Sequence, residues 1–252
     1  MAIAAHQDDI EFMAFHGILE CFRRDDKNFA AVVVTDGAGS PRKGFYKDYT
    51  DEQMKEVRKK EQEAAAVVGE YASLTQLGYP SAVVKDKNNT AVINDLYRLL
   101  MDMKPEFVYL HNLADKHDTH VAVALRSIAA LRRMPKPLRP KHVYGCEVWR
   151  GLDWMDDYTV KLDVSGKINL AYALSNVYDS QISGGKNYGA AVTGRRLANA
   201  TFAFSHATDN TTHLTYAMDL TPLIVDDTID IAGFMLEHIT RFNKSILEKL
   251  KL

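Results

Sequence analysis

Cysteine is nearly missing from this chain: Cys21 and Cys146 are the only 2 in 252 residues, and they stand in no metal-finger spacing. That excludes a disulfide scaffold and a cysteine-built zinc site, and it leads us to expect reduced thiols in a cytoplasmic protein. A surplus of charge of either sign is also missing. The net charge of -2 speaks against a nucleic-acid or anionic-membrane partner, either of which usually needs a basic surplus. No apolar run approaches the length that spans a bilayer, so no membrane partner is expected. The opening apolar run, Met1-Ala2-Ile3-Ala4-Ala5, is too short for a secretory leader. Because Met1 falls inside that first expected strand, the native start is left open. A full glycine-rich nucleotide fingerprint is lacking too. Gly37-Ala38-Gly39 stands alone, and a lone Gly-x-Gly is usually a turn.

What is present is an ordinary globular composition, 46% hydrophobic and 25% charged, with neither repeats nor a low-complexity linker. One domain over 1–252 is expected, with a core over 1–150 and a C-terminal elaboration over 151–252. Through the first two-thirds, strand and helix signals alternate. Strands are expected at 1–5, 29–35, 74–78, 106–111 and 142–148, and helices at 10–24, 51–70, 91–103 and 121–133. For the helix over 51–70 the apolar side reads as Val57, Ala64, Ala65, Val67 and Val68. Alternation of this kind favours an α/β fold, a Rossmann-like and mostly parallel sheet flanked by helices on both faces. Beyond it, 158–164 reads as a strand, 166–178 as a helix, 183–189 as a mobile glycine-rich loop, and 222–250 as one long amphipathic helix.

Two polar clusters fall at expected strand ends. His6-Gln7-Asp8-Asp9 follows the first strand directly. A chance His-x-Asp-Asp should arise roughly 0.07 times in a shuffled chain of this composition, so the cluster asks for an explanation. The bland one is that Asp8 or Asp9 caps the helix starting near Ile10. The second cluster, His117-Asp118-Thr119-His120, lies between the strand ending at His111 and the next helix. By itself His-x-x-His is weak, since about one shuffled chain in three would hold one. Position strengthens it: ligands in open α/β sheets gather beyond the carboxyl ends of the strands, where both clusters fall. His6, Asp9 and one of His117 or His120 would give three N/O ligands and an open water position, the arrangement of a catalytic rather than a structural zinc. Ferrous iron also suits such ligands.

In order along the chain, these motifs resemble the PIG-L/LmbE-like family of zinc-dependent N-acetylglucosamine deacetylases. Ala5-His6-Gln7-Asp8-Asp9 is similar to the family's Ala-His-Pro-Asp-Asp, and His117-Asp118-Thr119-His120 to its His-Pro-Asp-His. Val33-Val34-Thr35-Asp36-Gly37, the Arg58-Lys59-Lys60-Glu61 segment leading to Leu77-Gly78, and Ser180-Gln181 also resemble family patterns. The likeness runs through residue 150 and more loosely to 181. It implies His6, Asp9 and His120 as ligands of a zinc ion, Asp8 as general base, and His117 as the acid that protonates the leaving amine. It also implies a substrate contact for Arg58, whose alternative is a solvated pair with Glu61 one turn away. The expected partner is a small-molecule N-acetyl sugar or glycoconjugate, with a homo-oligomer left open.

Three departures qualify the likeness. Gln7 replaces a proline; Asp118-Thr119 replaces Pro-Asp, shifting the carboxylate by one place; and Ser81 stands where relatives carry an acidic substrate contact. Either the outer partners of the metal site are altered or Asp118 reaches them from a new angle, and Asp115 is expected to orient a ligand imidazole or to cap its loop. Tyr46, Trp149 and Trp154 are candidates for stacking on a sugar, with packing as the commoner role. The rival readings are an amidase acting on a thiol conjugate or other non-sugar amide, a catalytically inactive sugar-binding relative, and a nucleotide-binding protein using the Gly37 loop.

Overall fold

The computed structural model describes residues 1–251. Its centre is one seven-stranded sheet in the order β3-β2-β1-β4-β5-β7-β6. The strands are β1 (Ala2–Ala4), β2 (Ala30–Thr35), β3 (Ser73–Tyr79), β4 (Phe107–His111), β5 (His142–Cys146), β6 (Val160–Asp163) and β7 (Leu214–Asp219). The first five are parallel, and β7 pairs antiparallel with both β5 and β6. The helices are α1 (Asp9–Met13), α2 (Phe15–Cys21), α3 (Asp51–Val68), α4 (Ser81–Lys85), α5 (Ala91–Met103), α6 (Asp118–Arg133), α7 (Ile168–Ser175), α8 (Asp179–Ser183), α9 (Tyr188–Phe202), α10 (Pro222–Val225) and α11 (Ile231–Lys249).

Strand alternation splits the core across the two faces. Ile3, Val32, Val34, Val108 and Leu110 pack with Leu96 and Leu100 of α5 and Val123 and Ile128 of α6. Ala2, Ala4, Ala31, Val33 and Tyr109 face the other way, against Ile10, Met13, Phe15 and Ile18 of α1 and α2 and Leu170 and Leu174 of α7. Each of the fully buried leucines of α5 is worth about 2–5 kcal/mol against truncation to alanine. The chain runs from β1 outward to β3, then returns to place β4 on the other side of β1. The strand order reverses there, and a crevice opens beyond the carboxyl ends of β1 and β4.

Several elements differ from the sequence expectation. The helix expected over 10–24 is two, broken at Ala14. In α3 the inward stripe is Met54, Arg58, Glu61, Gln62 and Ala65, whereas Val67 and Val68 are exposed. The buried face of this helix is thus mostly polar, and of the expected apolar side only Ala65 is fully buried, with Val57 half-buried. Helix α9 starts inside the glycine-rich segment expected to be a loop, and β7 was not foreseen at all. The long helix expected over 222–250 is interrupted, because Asp226 accepts the Thr228 amide in a turn and Asp230 restarts the chain as the N-cap of α11. No helix among the described residues is long and apolar enough to cross a membrane.

Candidate metal and catalytic site

The turn after β1 is held in place by its neighbours. Thr35 at the end of β2 donates both its amide and its hydroxyl to the Ala5 carbonyl, at 2.9 and 2.8 Å. The Ala5 amide donates to Nε2 of His111 on β4 at 2.9 Å. Asp8 then adopts φ 90° and ψ -30°, a conformation that costs a non-glycine residue on the order of 1–3 kcal/mol. Although Asp8 occupies the N-cap position of α1, its side chain makes no capping bond. Asp9 instead turns its carboxylate back to accept the His6 amide at 2.8 Å. The helix-cap explanation of this cluster therefore does not describe what either carboxylate does.

Three donor atoms converge beside the turn. His6 Nδ1 lies 3.2 Å from Asp9 Oδ2 and 3.1 Å from His120 Nε2, which is itself 3.2 Å from Asp9 Oδ2. Ligands about 2.0–2.1 Å from a common ion in tetrahedral or octahedral geometry stand roughly 2.8–3.4 Å apart, so this set fits one divalent cation. His120 sits in the first turn of α6. Its outer nitrogen Nδ1 is buried without a hydrogen bond, 3.6 Å from Asp115 Oδ1. Asp115 also accepts the amides of His117 at 3.0 Å and Trp149 at 3.1 Å, so its carboxylate is fixed facing the imidazole. Asp118 takes no part in orienting that ring. It is exposed at the start of α6, where an acidic side chain favours the helix dipole. Asp115, and not Asp118, is the carboxylate that lies against this imidazole.

His111, at the end of β4, is fully buried and stacks on His120 with ring centroids 3.8 Å apart. His117 and His6 complete the cluster, and two overlapping His/Asp triplets have ligand atoms within 4.8 Å of one another. Because the Ala5 amide points at His111 Nε2, that nitrogen is an acceptor. The 3.4 Å approach of Asp9 to it is then proximity without a shared proton. A histidine ending a strand beside the first motif was the only sequence signal for it.

Asp8 faces the same space from the other side of Asp9. Its Oδ2 accepts Arg58 at 2.9 Å, and Arg58 also pairs with Glu61 at 2.9 Å. Arg58 further donates to the Gln7 carbonyl. Glu61 is held by the amide and hydroxyl of Ser180, at 2.7 and 2.8 Å. Arg58 is 2% exposed, so its pair with Glu61 is not solvated, and the guanidinium is committed to Asp8. Its neighbour Gly37 has φ 75°, and a side chain there would meet Gln7 Oε1 at 2.7 Å and Arg58 Cβ at 2.9 Å. Glycine is required at that position by both conformation and space.

Electrostatics separates the groups. Burial pushes the Asp8 carboxyl up to about 7 against the pull of Arg58. Burial acts the same way on Asp9, yet the His120 imidazole holds it well below the usual carboxylate range. Burial opposes the charge of His120, but Asp9 and Asp115 carry that ring up to about 9. His111 is brought down to about 4 by burial and by the neighbouring His120. Burial also lowers His117, the N-cap of α6. The Thr119 amide donates to its Nδ1 at 3.3 Å, which leaves the ring proton on Nε2.

His6, Asp8, Asp9, Arg58 and His117 line a cavity of about 740 Å³ that also takes in Thr35, Gly37, Ser81, Trp149, Lys186 and Tyr188. Trp149 meets Tyr188 edge-on at 6.0 Å, and Lys186 lies over its ring at 5.2 Å. The segment expected as a mobile loop thus delivers Lys186 and Tyr188 to the wall. Tyr46 and Trp154 serve packing instead: Tyr46 donates to Asp179 at 2.7 Å, and Trp154 meets Phe242 edge-on.

The family model described as PIG-L: GlcNAc-PI de-N-acetylase matches residues 1–131, over half of the chain, and the chain belongs to that family. Among solved structures it is similar to the N,N'-diacetylchitobiose deacetylase of Pyrococcus horikoshii, with 14% identity, 92% of this chain and 86% of that one covered, and a TM-score of 0.68. It is also similar to the 4-carboxy-2-hydroxymuconate hydratase of Pseudomonas putida, at 17% identity, 87% and 94% coverage and a TM-score of 0.65. A teicoplanin deacetylase solved in a zinc-inhibited form matches at 14% identity, 86% and 96% coverage and a TM-score of 0.60. At these identities the likeness shows a shared fold, and the chemistry must come from the site. No curated protein matches the chain.

Proposed function

We propose that the protein is a metal-dependent hydrolase that removes the acetyl group from an N-acetylated amino sugar or glycoconjugate. The observation that carries this reading is the triplet of His6 Nδ1, Asp9 Oδ2 and His120 Nε2, mutually 3.1–3.2 Å apart beside Asp8 in a large cavity. A zinc ion, or ferrous iron in its place, would bring a bound water to a pKa near 7 and polarise the amide carbonyl.

The chain's own groups supply the rest. Asp8 Oδ2 is tied to Arg58, while Oδ1 accepts no hydrogen bond among the described residues, which leaves it to take the proton of the attacking water. His117 presents Nε2–H to the cavity as a neutral donor suited to the developing oxyanion. A proton on Nδ1 would oppose the Thr119 amide, so the ring favours donating a hydrogen bond over releasing a proton. The acid role implied for His117 by family resemblance then passes to Asp8, which returns the water's proton to the leaving nitrogen. The aromatic wall of Trp149 and Tyr188 offers ring faces to a sugar, and Arg58 acts by placing the base.

Replacing Asp8 with alanine should leave metal stoichiometry near that of the natural protein and abolish acetate release from N-acetyl amino sugars. Retained turnover in that variant would overturn the assignment. A panel including thiol-conjugate amides separates the sugar reading from the amidase reading.

A further inference from the structure

Both ends of the Gln7–Asp8 peptide are gripped by α3. Arg58 donates to the Gln7 carbonyl, and one turn further along the same face Gln62 Oε1 accepts the Asp8 amide at 3.2 Å. An i,i+4 pair on one helix face is spaced to hold two neighbouring points of a passing turn. Gln62 is fully buried, and its other amide atom, Nε2, donates to Glu11 Oε1 at 2.9 Å. Glu11 is buried as well and accepts the Tyr71 hydroxyl on Oε1 and the Tyr178 hydroxyl on Oε2, both at 2.6 Å. A carboxylate surrounded by three donors fixes which way round the Gln62 amide must sit, because only its NH₂ can face Glu11. Its oxygen is thereby aimed at the Asp8 N–H, and among the described residues no group outside this relay holds that amide.

We propose that Gln62, oriented by Glu11 and the Tyr71 and Tyr178 hydroxyls, is a positioning residue that keeps Asp8 in its left-handed conformation and so fixes where the base meets the attacking water. The inference rests on the reading of Asp8 as base. Arg58 secures the carboxylate, and the Gln62 relay secures the backbone from which that carboxylate projects. Without the relay the Asp8 peptide is free to relax towards negative φ, which carries the carboxylate away from its place beside Asp9.

The test is Gln62→Met, which keeps the side-chain length and removes the acceptor, with Glu11→Gln as a second variant that lets the Gln62 amide turn over. Misplacement of a catalytic group by about 1 Å lowers turnover roughly 100-fold, so both variants should lose between about 10- and 100-fold in kcat with KM and bound metal unchanged. Added to Asp8→Ala, Gln62→Met should have no further effect. Unchanged kcat, or a loss that tracks lost metal or a collapsed Tm, overturns the proposal. Crystal structures of the natural protein and the Gln62→Met variant decide independently of activity: Asp8 should leave φ near 90° in the variant, and an unmoved Asp8 overturns the proposal. If the natural protein releases acetate from no N-acetyl substrate, the hydrolase reading fails while the crystallographic comparison still decides the positioning role.

Discussion

Replacing Arg58 with methionine separates a residue that binds substrate from one that builds the site. The side chain is 2% exposed and bridges two buried carboxylates, with Asp8 and Glu61 each at 2.9 Å. Methionine fills much of the volume but leaves both acids without their cation. Removing one partner of a buried pair destabilises by about 3–5 kcal/mol. For a chain of this size each kcal/mol moves Tm by about 2–4 °C, so a fall of roughly 6–20 °C is expected in thermal unfolding at pH 7. The deficit should widen with pH. Burial already holds Asp8 at about 7, above its ordinary 3.8, so an ionised Asp8 costs stability progressively through that window. Loss of the guanidinium raises the folded value further, and the penalty grows where the group must ionise. Near pH 4 the Asp8 carboxyl is largely neutral in both proteins, and this part of the deficit should vanish. A Tm within about 2 °C of the natural protein across this range, combined with a raised KM, would refute the reasoning and return Arg58 to the role of substrate contact.

The other expected outcomes concern the metal ligands and their surroundings. In protein stripped by a chelator, His120 sits at about 9 in the folded state against an ordinary 6.5. Its contribution, on the order of 3 kcal/mol, is complete below pH 6.5 and is lost as pH rises through 9. Tm of the stripped protein should fall over that window, and reloading with zinc should abolish the His120 part of the slope, because a coordinated nitrogen carries no proton; equal slopes would contradict this. Asp115→Ala should weaken zinc binding by about 10–100-fold in a competition titration. Asp118→Ala should leave that affinity unchanged and cost no more than about 1 kcal/mol from the start of α6; the reverse order of effects would show that Asp118 is the working carboxylate.

What could be read from the sequence follows from how each feature is encoded. Strands β1, β2 and β4 announce themselves as apolar runs because both their faces are covered, and the two ligand motifs follow strands that such runs define. The inner face of α3 was illegible for the opposite reason. Periodicity finds apolar stripes, and here the buried stripe is Arg58, Glu61 and Gln62, whose burial is tolerable only because Asp8, Ser180 and Glu11 arrive from distant segments to pair with them. The stacking of His111 on His120 was not legible, since it depends on β4 lying beside β1, which is a fact of topology. Helix α9 was hidden by Gly189, Thr193 and Gly194, residues that lower helix propensity while tertiary contacts hold the helix together. The outer contacts of the proposed metal site were only half legible. Asp115 and Asp118 look alike on paper, and only the loop geometry turns one inward.

The most direct measurement is acetate release from a panel of N-acetyl amino sugars and glycoconjugates by chelator-stripped protein before and after addition of stoichiometric zinc or ferrous iron. The account predicts turnover that appears only with the metal and is absent from His120→Ala, which should no longer hold the ion. Equal acetate release by stripped and reloaded protein, or by His120→Ala, would contradict it.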